Sequence, residues 1–328
     1  MVKITKYAKE KGIDFVFTSA HIPEASIEGD FQRLLDKSDE LELPLVVDVS
    51  KRVMDKFKLP KSLGALRLDY GFTIEEVVEY SNTLPYLIEL NASNLTRAYL
   101  EKLKALNANF NNIRLSYNFY PKRYTGMDIE NVKRLNSLYK EYGLKVLAYI
   151  PSNSGKRPPL YDGLPSVEMH RDLDICLASY ELFAAGCDGV CIGDAYINQS
   201  DFEKLNSLSD IYEIPIKIYN NLSHEELEIL NVVHTFRIDE SSYLKRSSKS
   251  RGVKITPNNT TCIKPYMVTI DNELYKRYTG EVSIALKEMN NKGFVNVVGV
   301  VCDDVHTLID LIKPGSKFKF KICGFIGE

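Results

Sequence analysis

Three short apolar runs in the first third of the chain each carry a carboxylate at or near their end: Asp48 in LVVDV, Asp69 in ALRLD and Glu89 in YLIELN. If these runs are strands, the period of two puts Arg67 and Asp69 on one face of the second, and Leu87, Glu89 and Asn91 on one face of the third. Consecutive parallel strands are neighbours, so Asp69 and Glu89 are expected to approach each other, with Asp48 one strand away. Two carboxyl groups at one mouth suit glycosidic-bond hydrolysis. One is protonated and acts as acid; the other is ionised and acts as nucleophile, base or stabiliser. The same residues admit a structural reading, in which Arg67 pairs with Asp48 or Glu89 in a buried ion network.

A second set of groups suits a hydroxylated anion. In NIRLSYNFYPKRYTG, Ile113, Leu115 and Tyr117 alternate with Arg114, Ser116 and Asn118. The run then breaks at Pro121 into a loop with Tyr120, Lys122, Arg123 and Tyr124. Amides and phenols, including Asn91, Asn118 and Tyr120, fit hydroxyl groups. Arg123 fits a bidentate phosphate or carboxylate, and Lys122 reads as a solvated surface cation. A third set lies in LPSVEMHRD, read as the start of a helix from Val167 to Ala185. Glu168, His170 and Arg171 fall in its first turn, where an anion is favoured. His21, His224, His234 and His306 form no metal-ligand spacing, and no Walker A or GxSxG motif is present. No cofactor or metal is expected.

The elements that must position these groups alternate regularly. Strand-like runs at 15–19, 45–49, 65–69, 86–91, 112–118, 145–150 and 189–192 are separated by helical patterns. A capping box is expected at Thr73 and Glu76. Such alternation implies a parallel sheet with helical crossovers. Charged or amide residues recur at nearly every strand end (Asp48, Asp69, Glu89 with Asn91, Asn118, Asp194), and a barrel gathers all its strand ends round one mouth. FTSAHIPE is not the Gly-rich turn that an open doubly wound sheet usually carries. The reading is therefore α/β, a TIM-type β/α barrel with seven strands where eight are needed, the chain starting on a helix as though a first strand were absent. From about Ile211 short β-rich runs take over (IPIKIY, HTFRID, VKIT, YMVTI, VNVVGVV, KFKFKICGF), with KRSSKSR read as an exposed loop. They predict a small, mainly antiparallel barrel. The expected domains are 1–210 and 211–328.

Composition narrows the partners. The 328 residues include 44% hydrophobic and 26% charged, with a formal net charge of −2. Neither a basic excess for nucleic acid nor an apolar run for a membrane span is present. The six cysteines, Cys176, Cys187, Cys191, Cys262, Cys302 and Cys323, show no CxxC spacing. They read as free thiols of a cytoplasmic protein.

Together FTSAHIPE, RLDYGF, IELNASN, NFYPKRYTG, GLPSVEMHRD, IGDAY, DNELYKRYTGEVSIAL and IKPGSKFKF resemble, over essentially the whole chain, the 6-phospho-N-acetylmuramidases, family 170 of the glycoside hydrolases. The family's members were long labelled outer surface protein. The resemblance implies a β/α barrel followed by a cyclophilin-like β-barrel. It also implies cytoplasmic hydrolysis of the β-1,4 bond of N-acetylmuramic acid 6-phosphate–N-acetylglucosamine, a disaccharide of peptidoglycan turnover. Asp69 and Glu89 become the expected carboxylate pair, with Asp48 in support. Asn91, Asn118, Tyr120 and His170 are expected at hydroxyl and acetamido groups, and Arg123 and Arg171 at the phosphate or lactyl carboxylate. Arg277 and Tyr278 are candidates to close over the site. The chain departs from the family in two places. It begins inside the helix that usually follows a GISIYP-like strand, and it has Asp194 where Asn is usual, an extra carboxylate that could shift substrate preference. The course of the reaction stays open between retention, inversion and participation of the 2-acetamido group.

Overall fold

The computed structural model describes residues 7–20, 28–54, 59, 60 and 63–326. The loop at 21–27 with His21, the start of the first helix at Ile4, and most of the expected helix at 53–57 lie outside these residues. The chain divides into two compact units, Met1–Ile175 with Ala185–Gln199, and Cys176–Ala184 with Ser200–Glu328.

The first unit holds seven parallel strands in sequential order: β1 (Val16–Ser19), β2 (Leu45–Val49), β3 (Leu63–Leu68), β4 (Leu87–Asn91), β5 (Ile113–Ser116), β6 (Lys145–Ile150) and β7 (Gly189–Ile192). The sheet curls. In a flat sheet β1 and β6 would lie about 24 Å apart, five spacings of about 4.8 Å. Instead the Phe17 ring of β1 meets Tyr149 of β6 at 5.7 Å, and both rings meet Phe119, which follows β5. Beside this, Tyr7 in the helical turn before β1 donates to Ile197 O after β7 (3.3 Å) and packs on Tyr196. The result is a TIM-like half-barrel of seven strands, in keeping with the TIM-type β/α barrel short of one strand that the alternation predicts.

The crossover helices form for local reasons. Ile74–Thr83 carries the expected capping box between Thr73 and Glu76. Ile129–Lys140 is capped by Asp128 and buries Val132, Leu135 and Tyr139 at helical spacing. The expected helix over 167–185 is interrupted. A 3-10 turn, Glu168–Asp172, is followed by extended Leu173, and the α-helix runs only from Ile175 to Ala184. Just before this turn the Ser166 hydroxyl accepts from Tyr149 N and donates to Asn118 O, fixing Ser166 beside β6.

The second unit holds β8 (Ile211–Ile218), β9 (His234–Thr235), β10 (Leu244–Ser247), β11 (Met267–Asp271), β12 (Val282–Ala285), β13 (Val295–Val301) and β14 (Lys317–Phe325). Their order is β10-β12-β11-β13-β8-β14-β9. All pairs are antiparallel except β8 with β14. The two ends of this order nearly meet. Arg237 N, just past β9, donates to Arg246 O of β10 (2.8 Å), and His234 and Ser247 share a side-chain hydrogen bond of 3.0 Å. The sheet is thus a nearly closed mixed barrel. Two expectations fail here. KRSSKSR is not a free loop, because its first residues belong to β10 with Ser247 buried. VKIT is not a strand, because the chain there runs irregularly and buries Ile255 alone.

Candidate active site

One row of side chains crosses the interior of the curled sheet. Strand register sets Ser19 beside Asp48, Asp48 beside Arg67, Arg67 beside Glu89 and Glu89 beside Arg114. Arg67 is its centre. Its Nη1 donates to Asp48 Oδ1 (2.8 Å), its Nη2 to Asn118 Oδ1 (2.7 Å) and its Nε to Ser116 Oγ (3.1 Å). The same Nε lies 3.7 Å from Glu89 Oε1. Ser116 in turn donates to Glu89 Oε1 (2.6 Å), Arg114 Nε donates to Glu89 Oε2 (2.7 Å), and Ser19 donates to Asp48 Oδ2 (3.0 Å). Arg67 therefore pairs with Asp48 and lies close to Glu89, the network anticipated as the structural reading of these acids. Burial opposes the Arg67 charge, but Asp48, Tyr149 and Glu89 outweigh it and raise the guanidinium's pKa. Tyr149 of β6 faces the same interior; burial pushes its phenol well above the usual value, so it stays a neutral O–H group.

Asp69 differs from the other two acids. It lies one residue past β3, where its N–H donates to Val49 O (2.9 Å), and its side chain is exposed. Asn91 ends β4 half-buried, and its Oδ1 caps Ser93 N (2.9 Å).

The loop groups divide in the same way. Glu168 and Arg171 form a brace. Arg171 Nε and Nη2 clasp the two Glu168 oxygens (2.8 and 2.9 Å), while Nη1 and Nη2 reach the carbonyls of Asp162, Gly163, Tyr120 and Lys122. Glu168 also accepts from Tyr124 N and Gly126 N. Arg171, with these two N–H groups, brings the Glu168 carboxyl down to about 2. Gly126 is required here, since a Cβ would sit 2.7 Å from Glu168 N and Oε2. All three Arg171 nitrogens are thus spent on the protein, and the side chain is only 3% exposed. Its expected role as an anion ligand is replaced by that of a loop brace. His170 beside it is fully buried. Tyr120 is half-buried and tied through its backbone to Pro165 O.

Arg123 is exposed. It pairs with Asp162 (Nε to Oδ2, 2.6 Å) and Asp172 (Nη1 to Oδ2, 2.8 Å). Asp194 is buried, its oxygens accepting from Ser152 N (2.8 Å) and Arg157 N (3.0 Å), so it shapes the loop after β6. In the second unit the Arg277 guanidinium lies over the Tyr278 ring and donates to its hydroxyl (2.8 Å), both within the turn Glu273–Tyr278.

The interior row also contains Ser19, Arg114, Ser116 and Tyr149, none of which was singled out as a site residue from the sequence. The alternation in NIRLSYN carried the signal for Arg114 and Ser116, and that in KVLAYI for Tyr149. Among the described residues no group of three or more His, Cys, Asp or Glu is arranged to hold a metal ion, and no helix is long and apolar enough to cross a membrane.

A curled parallel sheet with buried acids and arginines near its strand ends, joined in one chain to a small mixed barrel, defines a two-unit β/α-barrel protein. The chain belongs to the 6-phospho-N-acetylmuramidase family, a family of glycosidases. The family's N-terminal region matches residues 1–207 and its C-terminal region residues 212–321. No curated protein matches the chain. Two solved structures are similar along nearly its whole length. One is the crystal structure of an uncharacterized B. cereus protein, 26% identical with a TM-score of 0.83, covering 98% of this chain and 94% of that one. The other is a conserved protein of unknown function from Enterococcus faecalis, 28% identical with a TM-score of 0.68, covering 98% and 92%.

Proposed function

We propose that the chain hydrolyses the β-1,4 bond of N-acetylmuramic acid 6-phosphate–N-acetylglucosamine, in the cytoplasm, as a step in peptidoglycan recycling. The family supports the substrate class. The observation that carries the site is the Asp48–Arg67–Glu89 row, with the exposed carboxyl of Asp69 one residue beyond β3. In this reading Asp69 meets the substrate as acid or base. Glu89, supported by Asp48, supplies the negative charge that stabilises developing positive charge on the sugar. Asn91, Asn118 and Tyr120 line the hydroxyl side, with His170 and Asp194 shaping the wall behind them. Arg123, exposed and held only by Asp162 and Asp172, is the anion clamp, and the substrate phosphate replaces those aspartates. Glu168 and Arg171 position the loop that carries it. Arg277 and Tyr278 belong to a second domain beginning near residue 211.

The test is release of N-acetylglucosamine from the disaccharide phosphate by the full chain and by the Asp69→Asn and Glu89→Gln variants. Each folded variant is expected to lose at least a hundredfold in kcat, in the range of general acid–base contributions. Unchanged turnover in both would overturn the assignment. A second reading, a sugar-phosphate binding protein without turnover, is favoured by the Glu89 oxygens being occupied by Ser116 and Arg114. Saturable binding of the disaccharide phosphate with no product would establish it.

A further inference from the structure

The second unit brings together two cysteines that are 21 positions apart in the sequence. Cys302 follows β13 and Cys323 lies in β14, and their sulfurs are 2.9 Å apart. These strands are not neighbours, since β8 runs between them. Two local features close the gap. The register of β14 against β8 shifts between Ile322 and Gly324, so Cys323 is the extra residue of a β-bulge. A bulge re-aims a side chain out of the regular alternation. The Cys323 thiol then lies against Ile216 O (3.2 Å), while Cys302 N donates to Pro215 O (3.1 Å). Both thiols therefore converge over the same two residues of β8.

The pair is also accessible. Cys323 is exposed and Cys302 half-buried. Beyond Phe318 the β14 strand has no partner on its outer side among the described residues, because β9 pairs only with Lys317 and Phe318. The other cysteines differ. Cys187 is buried, Cys176 and Cys191 are half-buried, and Cys262 is exposed but far from the pair in sequence; burial pushes the Cys187 thiol up to about 12 and raises that of Cys191.

We propose that Cys302 and Cys323 form a reversible oxidation site that takes up two electrons' worth of oxidant as an intramolecular disulfide across β8. A disulfide needs a sulfur–sulfur distance near 2.05 Å, so the sulfurs must close by about 0.9 Å, a shift within reach of side-chain rotation. The oxidant is hydrogen peroxide. The Cys323 thiolate attacks a peroxide oxygen, the O–O bond breaks, and hydroxide leaves and is protonated to water, leaving a sulfenic acid. The Cys302 sulfur then attacks the Cys323 sulfur. The S–S bond forms, the S–O bond breaks, and the hydroxide departs with the Cys302 proton as a second water. Two thiols lose two electrons and two protons, and one peroxide becomes two waters. The order follows from the environments. Burial and the adjacent Cys323 sulfur push the Cys302 thiol up to about 12, so it waits protonated, while the exposed sulfur reacts first.

The closed loop would contain the helix His306–Leu311 and most of β14. Constraining it in the unfolded chain raises the melting temperature of the oxidised form.

The test treats the full chain with equimolar hydrogen peroxide and reads intact mass, free-thiol count after unfolding, and a non-reducing peptide map. The expected result is a loss of 2 Da, a fall from six titratable thiols to four, one peptide pair joining Cys302 to Cys323, and reversal by dithiothreitol. Cys302→Ser and Cys323→Ser should each abolish the 2 Da loss. A Cys302→Ser chain that still loses 2 Da would overturn the proposal. So would wild-type protein that gains 32 Da at Cys323 or forms only intermolecular dimers.

Discussion

Arg171 and Arg123 stand on adjoining loops of the first unit, both meet carboxylates, and they end in different states. Arg171 is buried, grips both oxygens of Glu168 and ties down four backbone carbonyls. Arg123 is exposed and holds only side chains, Asp162 and Asp172. A buried guanidinium with every nitrogen committed to the protein's own acceptors is part of the frame, since removing it strands several desolvated acceptors. An exposed one balanced by mobile carboxylates can exchange them for a ligand at small cost. Charge and position in the sequence are alike for the two; what separates them is which acceptors they meet.

The strongest way to break this contrast is at Arg67, which resembles Arg171 in burial but lies among acids. Arg67→Met leaves Asp48 and Glu89 buried without their shared cation. It is expected to lower the unfolding free energy by about 3–5 kcal/mol and to abolish turnover; urea denaturation and the product assay check it. Arg171→Ala is expected to cost about 3 kcal/mol in the same denaturation experiment. Arg171→Lys should recover little, because an ammonium cannot copy the planar fork. A frame role is refuted if Arg171→Ala melts like the parent.

A third test uses pH. Glu168 has a folded pKa of about 2, below the roughly 4.3 of an unfolded glutamate. Its stabilising contribution is therefore complete above about pH 5 and is lost as pH falls toward 2. Glu168→Gln should be less stable at neutral pH and flatter across that window. Equal slopes in the two proteins would break the link between the brace and the carboxylate.

The smallest stability effect is expected at Arg123. Arg123→Ala should leave the urea midpoint of unfolding nearly unchanged. It should nevertheless weaken binding of phosphorylated substrate roughly tenfold or more, as expected for a lost charged hydrogen bond. Calorimetry with the phosphorylated and unphosphorylated disaccharides separates the cases: an equal loss for both ligands removes the clamp.

Much of this architecture was readable from residue order. Each of the seven strands of the first sheet lies within two residues of its expected position, because alternation and helix caps such as Thr73–Glu76 are local signals. The acids were readable as types near strand ends, but their states were not. Glu89 and Asp48 became internal because Arg67, Arg114, Ser19 and Ser116 come from the strands on either side of them in the sheet. The bracing contacts of Arg171 were hidden for a related reason, since its carbonyl partners lie 8 to 51 residues away along the chain. The helix over 167–185 was overestimated because the extended backbone at Leu173 separates a 3-10 turn from the helix Ile175–Ala184, a break that the helical spacing of the apolar residues does not reveal.

The parallel pairing of β8 with β14 has a consequence for how the second unit comes into being. On one edge residues 211–218 pair with residues 317–325, about a hundred positions later. During synthesis at roughly 5–20 residues per second, β8 therefore waits several seconds with that edge uncovered. The small barrel cannot close until β14 has been made, and a nascent chain stalled before Lys317 would present β8 as an open edge to its neighbours on the same polysome.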